Sequence, residues 1–219
     1  MPFTTHSRNF FALLLVLGAY LLMLTYFATT KSDDDFTHLF AETGFFESFS
    51  LILWLIAALM VPIRARPLRR DHAVFSLLFL FCALREADWH KKFTGGGIFK
   101  LKYYLQSVAP LSEKLLAALV ALLFFGVLGY SLYLFYRQVR SARRWTESDH
   151  IILMGIIMFL ITKVLDRCAS ILNKSFDIQV SPHTKRYLTA YEEGGEMLTP
   201  LFFIIALFWP GFREKEQPT

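Results

Sequence analysis

Long apolar stretches separated by short polar segments dominate the sequence. A helix needs about 20 mostly apolar residues to cross a hydrocarbon core about 30 Å thick. Six runs come close to this length, and they cover residues 10–29, 44–63, 73–89, 115–136, 151–172 and 188–209. The pattern predicts an all-α, polytopic membrane protein in which six transmembrane helices form one bundle, a single domain over residues 1–219.

The basic residues between the runs predict an orientation. Under the positive-inside rule, short loops rich in arginine lie in the cytoplasm. Two such loops and both chain ends fall on one side of six spans, and their basic residues are Arg8, Arg64, Arg66, Arg69, Arg70, Arg137, Arg140, Arg143, Arg144, Arg213 and Lys215. We therefore expect both termini in the cytoplasm. The segment KSDDD at 31–35, with its three aspartates, follows the first run where a signal peptide would have a small-residue cleavage site, so we expect a retained span.

Composition agrees with a membrane protein and narrows the partners. The chain is 55% hydrophobic and 16% aromatic, values that point away from an ordinary soluble domain. Its net charge of +5 comes mostly from the loop arginines, so we expect membrane lipid rather than nucleic acid as partner. Cys82 and Cys168 lie inside apolar runs, where single cysteines usually pack. Whether copies of the chain form a homo-oligomer stays open.

Three of the apolar runs contain charged clusters. An ionisable group at the centre of a membrane helix costs roughly 2.5–3.5 kcal/mol on insertion scales, so such groups usually carry a function. The clusters comprise Arg85, Glu86, Asp88 and His90 at the end of the third run, Lys163, Asp166 and Arg167 in the fifth, and Glu192, Glu193 and Glu196 in the sixth.

Depth and helical phase predict that these clusters form one site. In the expected orientation all three lie in the outer part of the membrane, as does Glu47 near the start of the second run. Glu86 with His90, and Glu192 with Glu196, are four residues apart and so share a helix face. We expect one acidic chamber that opens to the outside.

The first interpretation of this chamber is a metal site. Carboxylate and imidazole together suit zinc, manganese or iron, and the expected ligands are Glu86, His90, Glu192, Glu196 and Glu47. A bound divalent ion can activate water, with Asp166 or Glu193 as general base and Arg85, Lys163 or Arg167 facing an oxyanion or a phosphate. This predicts a metal-dependent hydrolase or transferase acting on a lipid or lipid-linked substrate.

The second interpretation needs no metal. Arg85, Lys163 and Arg167 can balance the carboxylates in an internal ion-pair network. Such a network is typical of a proton- or cation-coupled transporter or channel, and it also suits a non-catalytic membrane subunit. The segment Ile98–Tyr104 alternates aromatic and basic residues, and it can lie in the membrane interface as a lid or as a plain anchor.

Four ordered motifs resemble one family. They are a RExDxHK segment at 85–91, FT at 93–94 with IFKxxYY at 98–104, KxxDR at 163–167 and EExxE at 192–196. In this respect the last two-thirds of the chain is similar to a family of small six-span bacterial inner-membrane proteins. The resemblance implies six spans and a bacterial inner membrane, and it implies no particular reaction.

Overall fold

The computed structural model describes residues 5–41, 44–64, 69–89, 97–141 and 145–209, and in these ranges the chain is helical without strands. The helices are α1 (Thr5–Thr30), α2 (Asp33–Phe40), α3 (Phe45–Arg64), α4 (Arg70–Glu86), α5 (Leu101–Gln106), α6 (Leu111–Ser141), α7 (Glu147–Phe176) and α8 (Pro182–Phe208). The prediction of an all-α protein is confirmed.

Hydroxyl side chains define where several helices begin. The hydroxyl oxygens of Ser32, Thr146 and Ser181 each accept a hydrogen bond from a backbone N–H in the first turn of α2, α7 and α8. These bonds satisfy donors that have no partner inside the helix. Pro182 occupies the first helical position of α8, where its missing N–H costs nothing.

Three stretches are long and apolar enough to cross a membrane, judged by length and composition, and this indicates membrane association. They are Asn9–Thr30, Asp33–Arg64 and Leu111–Arg140 among the described residues. The number is smaller than the six predicted. Of the other long helices, α4 has 17 residues, whereas α7 and α8 carry charged side chains within their length.

The chain divides into two compact units, Met1–Leu53 with Thr146–Thr219 and Trp54–Trp145. In the first unit, α8 is the central helix: α7 packs along it extensively, and α1 and α2 also contact it. The fully buried Leu24 and Ile151 lie in its two apolar clusters. In the second unit, α4 packs against α6, and Arg137 of α6 pairs with Asp71 at 2.9 Å.

Two prolines inside helices are compensated by serines from other helices. A proline lacks the N–H that would bond the carbonyl four residues earlier, so Pro62 frees the carbonyl of Ala58 and Pro200 frees that of Glu196. Ser76 Oγ donates to the Ala58 carbonyl at 2.6 Å, and Ser50 Oγ donates to the Glu196 carbonyl at 3.4 Å. Each freed carbonyl thus regains a donor, as an apolar environment requires.

A double-mutant cycle tests this compensation in the second unit. We expect Ser76→Ala to lower the free energy of unfolding by about 1–2 kcal/mol, because it strands a carbonyl that the helix cannot bond itself. In a Pro62→Ala background the helix supplies its own N–H, so the same serine substitution should cost much less. Unfolding by denaturing detergent measures both values.

Ser131 provides the matched control for that cycle. It is buried in α6, and its hydroxyl has no hydrogen-bond partner in the described chain. Ser131→Ala should therefore leave the stability nearly unchanged or raise it slightly. Equal costs for Ser76→Ala in both backgrounds would contradict the compensation.

Candidate functional site

The candidate site lies at a close contact between α7 and α8. A methyl group built on Gly195 of α8 would lie 2.5 Å from Cγ2 of Thr162 on α7. Thr162 is fully buried, so no side chain larger than hydrogen fits at position 195 without displacing it. Glycine is therefore required here for close packing of two helices, not for an unusual backbone conformation.

The neighbouring Gly194 serves a second helix. A methyl group on it would lie 2.5 Å from Cδ1 of Leu24 on α1. The hydroxyl of Tyr20 donates to the Gly194 carbonyl at 2.9 Å, and Thr25 shares a hydrogen bond with the Tyr191 hydroxyl at 2.6 Å. The two adjacent glycines thus let α8 contact α1 on one side and α7 on the other.

This close approach brings two opposite charges together. Lys163 follows Thr162, and Glu196 follows Gly195, so both side chains start from the point of contact. The Lys163 Nζ is hydrogen-bonded to Oε1 of Glu196 and forms an ion pair with it. The side chains are 28% and 13% exposed, so water reaches this pair only partly.

Glu192 extends the pair into a larger cluster. It interacts electrostatically with Asp166, Glu196, Lys163 and Arg167. Asp166 also pairs with its neighbour Arg167 at 3.2 Å, but both are exposed, and exposed pairs contribute little to stability. The cluster, here called the α7–α8 charge cluster, contains Lys163, Asp166, Arg167, Glu192 and Glu196.

A third helix fixes the backbone beneath the cluster. The carbonyl that Pro200 frees belongs to Glu196 itself, and the Ser50 hydroxyl that bonds it is 1% exposed. The Thr199 hydroxyl donates to the Gly195 carbonyl at 3.1 Å. Glu196 is therefore held by contacts on both its partly buried side chain and its main chain.

The remaining predicted site residues lie at other places along the chain. Glu86 lies in the second unit, 9% exposed in its side chain, with Arg85 Nη2 at 4.0 Å. Glu47 belongs to the first turn of α3, and Glu193 follows Glu192 in α8. His90 lies outside the described residues. The prediction that these residues complete one chamber stays a prediction.

The metal hypothesis likewise gains no direct support. Throughout the described ranges, no three histidine, cysteine, aspartate or glutamate side chains are grouped so that they could hold a metal ion. One oxygen of Glu196, a predicted ligand, is bound to the Lys163 ammonium instead. The fifth and sixth runs thus meet through an ion pair.

Sequence reasoning missed the residues that create this geometry. Thr162, Gly195, Tyr20 and Ser50 were not among the candidates. The double glycine beside three glutamates and the proline four residues after Glu196 were visible signals of close packing and of a freed carbonyl. Their partners could not be read from the sequence, since they lie on other helices.

Comparison with known protein families, with curated proteins and with solved structures found no match. The class of the protein therefore follows from its own architecture. It is an all-helical protein with three helices suited to a membrane and a partly buried charge cluster between two further helices.

Proposed function

We propose that this chain is a six-span protein of the bacterial inner membrane, with both termini in the cytoplasm, and that its α7–α8 charge cluster binds and releases a proton or a small cation during coupled transport. The three apolar stretches and the arginine-rich loops support the membrane placement. In this arrangement α4, α7 and α8 also cross the membrane.

The Lys163–Glu196 ion pair is the observation that carries the proposal. Within the α7–α8 charge cluster, two cations face three carboxylates, which leaves one negative charge when all five groups are ionised. A charge in an apolar environment is costly unless it is compensated. Binding one monovalent cation, most simply a proton on Glu192, makes the cluster neutral, and its release restores the charge.

This arrangement favours transport over metal-dependent catalysis. A metal ion at Glu196 would lie beside the Lys163 ammonium, and the repulsion between the two cations would oppose its binding. Proton exchange brings no multivalent cation to the pair, because the lysine holds one carboxylate while another exchanges its proton. A metal-dependent enzyme acting on a lipid-linked substrate stays a prediction. Elemental analysis of the purified protein tests it by measuring whether a metal ion is bound.

Proton flux in liposomes tests the transport proposal. We expect Glu192→Gln, which cannot ionise, to reduce flux roughly tenfold or more, because intramembrane carboxylates of this kind carry the titrating step. A pH-sensitive dye inside the liposomes reports the flux after a potassium diffusion potential is imposed.

The flux experiment requires a matched glutamate outside the cluster. Glu113 lies exposed in the first turn of α6, and Glu113→Gln should leave flux unchanged. The proposal is abandoned if the wild-type protein carries no flux above empty liposomes, or if both variants match the wild type.

A further inference from the structure

An unusual apolar surface covers the segment just before α6. Leu101 and Leu105 lie about one helical turn apart in α5, Val108 follows just after the helix ends, and each of the three side chains is at least 72% exposed. Three large exposed apolar side chains within one short segment mark an interaction surface, whereas single exposed ones are common. We call residues 98–111 the interface segment.

The interface segment is folded, so the exposed side chains of Leu101, Leu105 and Val108 do not belong to a loose loop. Its inner side packs Ile98 and Tyr103 against Ala117 of α6, all three buried. The Tyr104 hydroxyl donates to the Ile98 carbonyl at 2.7 Å. Lys114 Nζ donates to the Ser107 carbonyl at 2.9 Å. The segment is therefore anchored through Ile98, Tyr103 and Ser107, while Leu101, Leu105 and Val108 stay exposed.

Charge and continuity identify what would cover this face. Exposed Lys100 and Lys102 flank Leu101, which gives the surface an apolar centre with cationic flanks. The apolar stripe also continues onto α6, where Leu111, Leu115, Leu119 and Leu122 are each more than 60% exposed. That helix belongs to a candidate membrane span, so the interface segment extends a surface already suited to lipid.

We infer that the interface segment lies in the headgroup region of an anionic bilayer, with its leucines toward the acyl chains and its lysines on lipid phosphates. An apolar face flanked by lysines is the pattern of segments that bind in the plane of a membrane surface. Each lysine near an anionic leaflet adds electrostatic attraction. The inference rests on the proposed membrane placement of α6.

Lipid-borne quenchers test this position. An environment-sensitive dye is attached at Val108→Cys in a Cys82→Ser/Cys168→Ser background, and the protein is placed in nanodiscs that hold one copy each. We expect nitroxides near the headgroup to quench this dye roughly twofold more than nitroxides at the chain ends. Aqueous iodide should quench it less than a dye at Asp34→Cys on the polar, exposed face of α2.

The lysines are tested separately from the leucines. Replacing neutral lipid with anionic lipid should increase headgroup quenching at Val108→Cys. The Lys100→Gln/Lys102→Gln pair should remove this dependence, whereas Lys174→Gln, an exposed lysine at the end of α7, should preserve it. Equal dependence in all variants would overturn the role of the lysines.

A dye at Leu122→Cys separates the failure of this inference from that of the membrane placement. Quenching of that dye by chain-end nitroxides, together with an iodide-accessible Val108→Cys dye, would overturn the inference alone. An unquenched Leu122→Cys dye would overturn the membrane placement of α6 as well. Protection of Val108→Cys only when two copies share a disc would assign the surface to a second copy of the chain and overturn the lipid assignment.

Discussion

Replacing Lys163 with methionine is expected to lower the free energy of unfolding by about 3 kcal/mol. The substitution keeps a side chain of similar length but removes the cation from a partly buried pair. The Glu196 carboxylate then lacks its counter-charge, which costs far more than replacing both partners by apolar residues. It also changes the α7–α8 charge cluster from one net negative charge to two. Unfolding in mixed detergent micelles, followed by circular dichroism, measures the loss.

The partner substitution should behave differently. Glu196→Gln removes a negative charge, which leaves the cluster neutral and retains an oxygen that can accept from Lys163. We therefore expect a loss of about 1 kcal/mol, the size of one hydrogen bond. The double variant Lys163→Met/Glu196→Gln returns the cluster to its original net charge, and it should recover most of the stability lost in Lys163→Met.

The ranking of the three variants by stability tests whether Lys163 and Glu196 interact. Equal losses for the two single variants, with additive losses in the double variant, would mean that the two side chains do not interact. The proposed compensation between Lys163 and the carboxylates would then be wrong.

Gly195→Ala should be the second most damaging substitution. The added methyl group would overlap the Cγ2 of Thr162, a fully buried β-branched side chain whose hydroxyl is bonded to the Phe159 carbonyl. Overpacking of this kind costs about 1–3 kcal/mol, and we expect the upper part of that range. The same displacement would separate Lys163 from Glu196, so flux should fall together with stability.

A compensating substitution distinguishes steric overlap from a general effect of alanine. Thr162→Ser removes Cγ2 but keeps the hydroxyl that donates to the Phe159 carbonyl at 2.9 Å, and it should rescue Gly195→Ala. Gly129 of α6 has open space around it, so Gly129→Ala should be neutral or stabilising through helix propensity. Failure of Thr162→Ser to restore any stability would reject the close-packing account.

The apolar runs allowed much of the helical fold to be predicted. All six runs correspond to long helices in the described chain, since 20 apolar residues leave few other ways to satisfy the backbone. Six membrane-spanning helices were predicted, but only three stretches of the described chain are long and apolar enough to cross a membrane. Charges inside α7 and α8 make those helices ambiguous by composition, and only their surroundings in a bilayer decide whether they cross it.

The sequence was enough to predict which charged residues form the site, but not which of them bind each other. Glu192 and Glu196 were expected on one face, and Lys163 and Arg167 were considered as their counter-charges. That Lys163 binds Glu196 depends on the rotation and register of two helices. A contact between Gly195 and Thr162 sets both, and contacts between residues distant in sequence leave no periodic signal.

The serine–proline bonds carry a consequence for how the protein is assembled in a membrane. In hydrocarbon a bare carbonyl costs several kcal/mol, so neither α3 nor α8 is fully satisfied as a solitary helix. The α3 carbonyl obtains its donor 18 residues later, from the next helix to leave the ribosome. The α8 carbonyl depends on a serine made 146 residues earlier. In the proposed six-span arrangement, α3 and α4 can therefore enter the bilayer as a hydrogen-bonded pair, whereas α8 is complete only once it contacts α3.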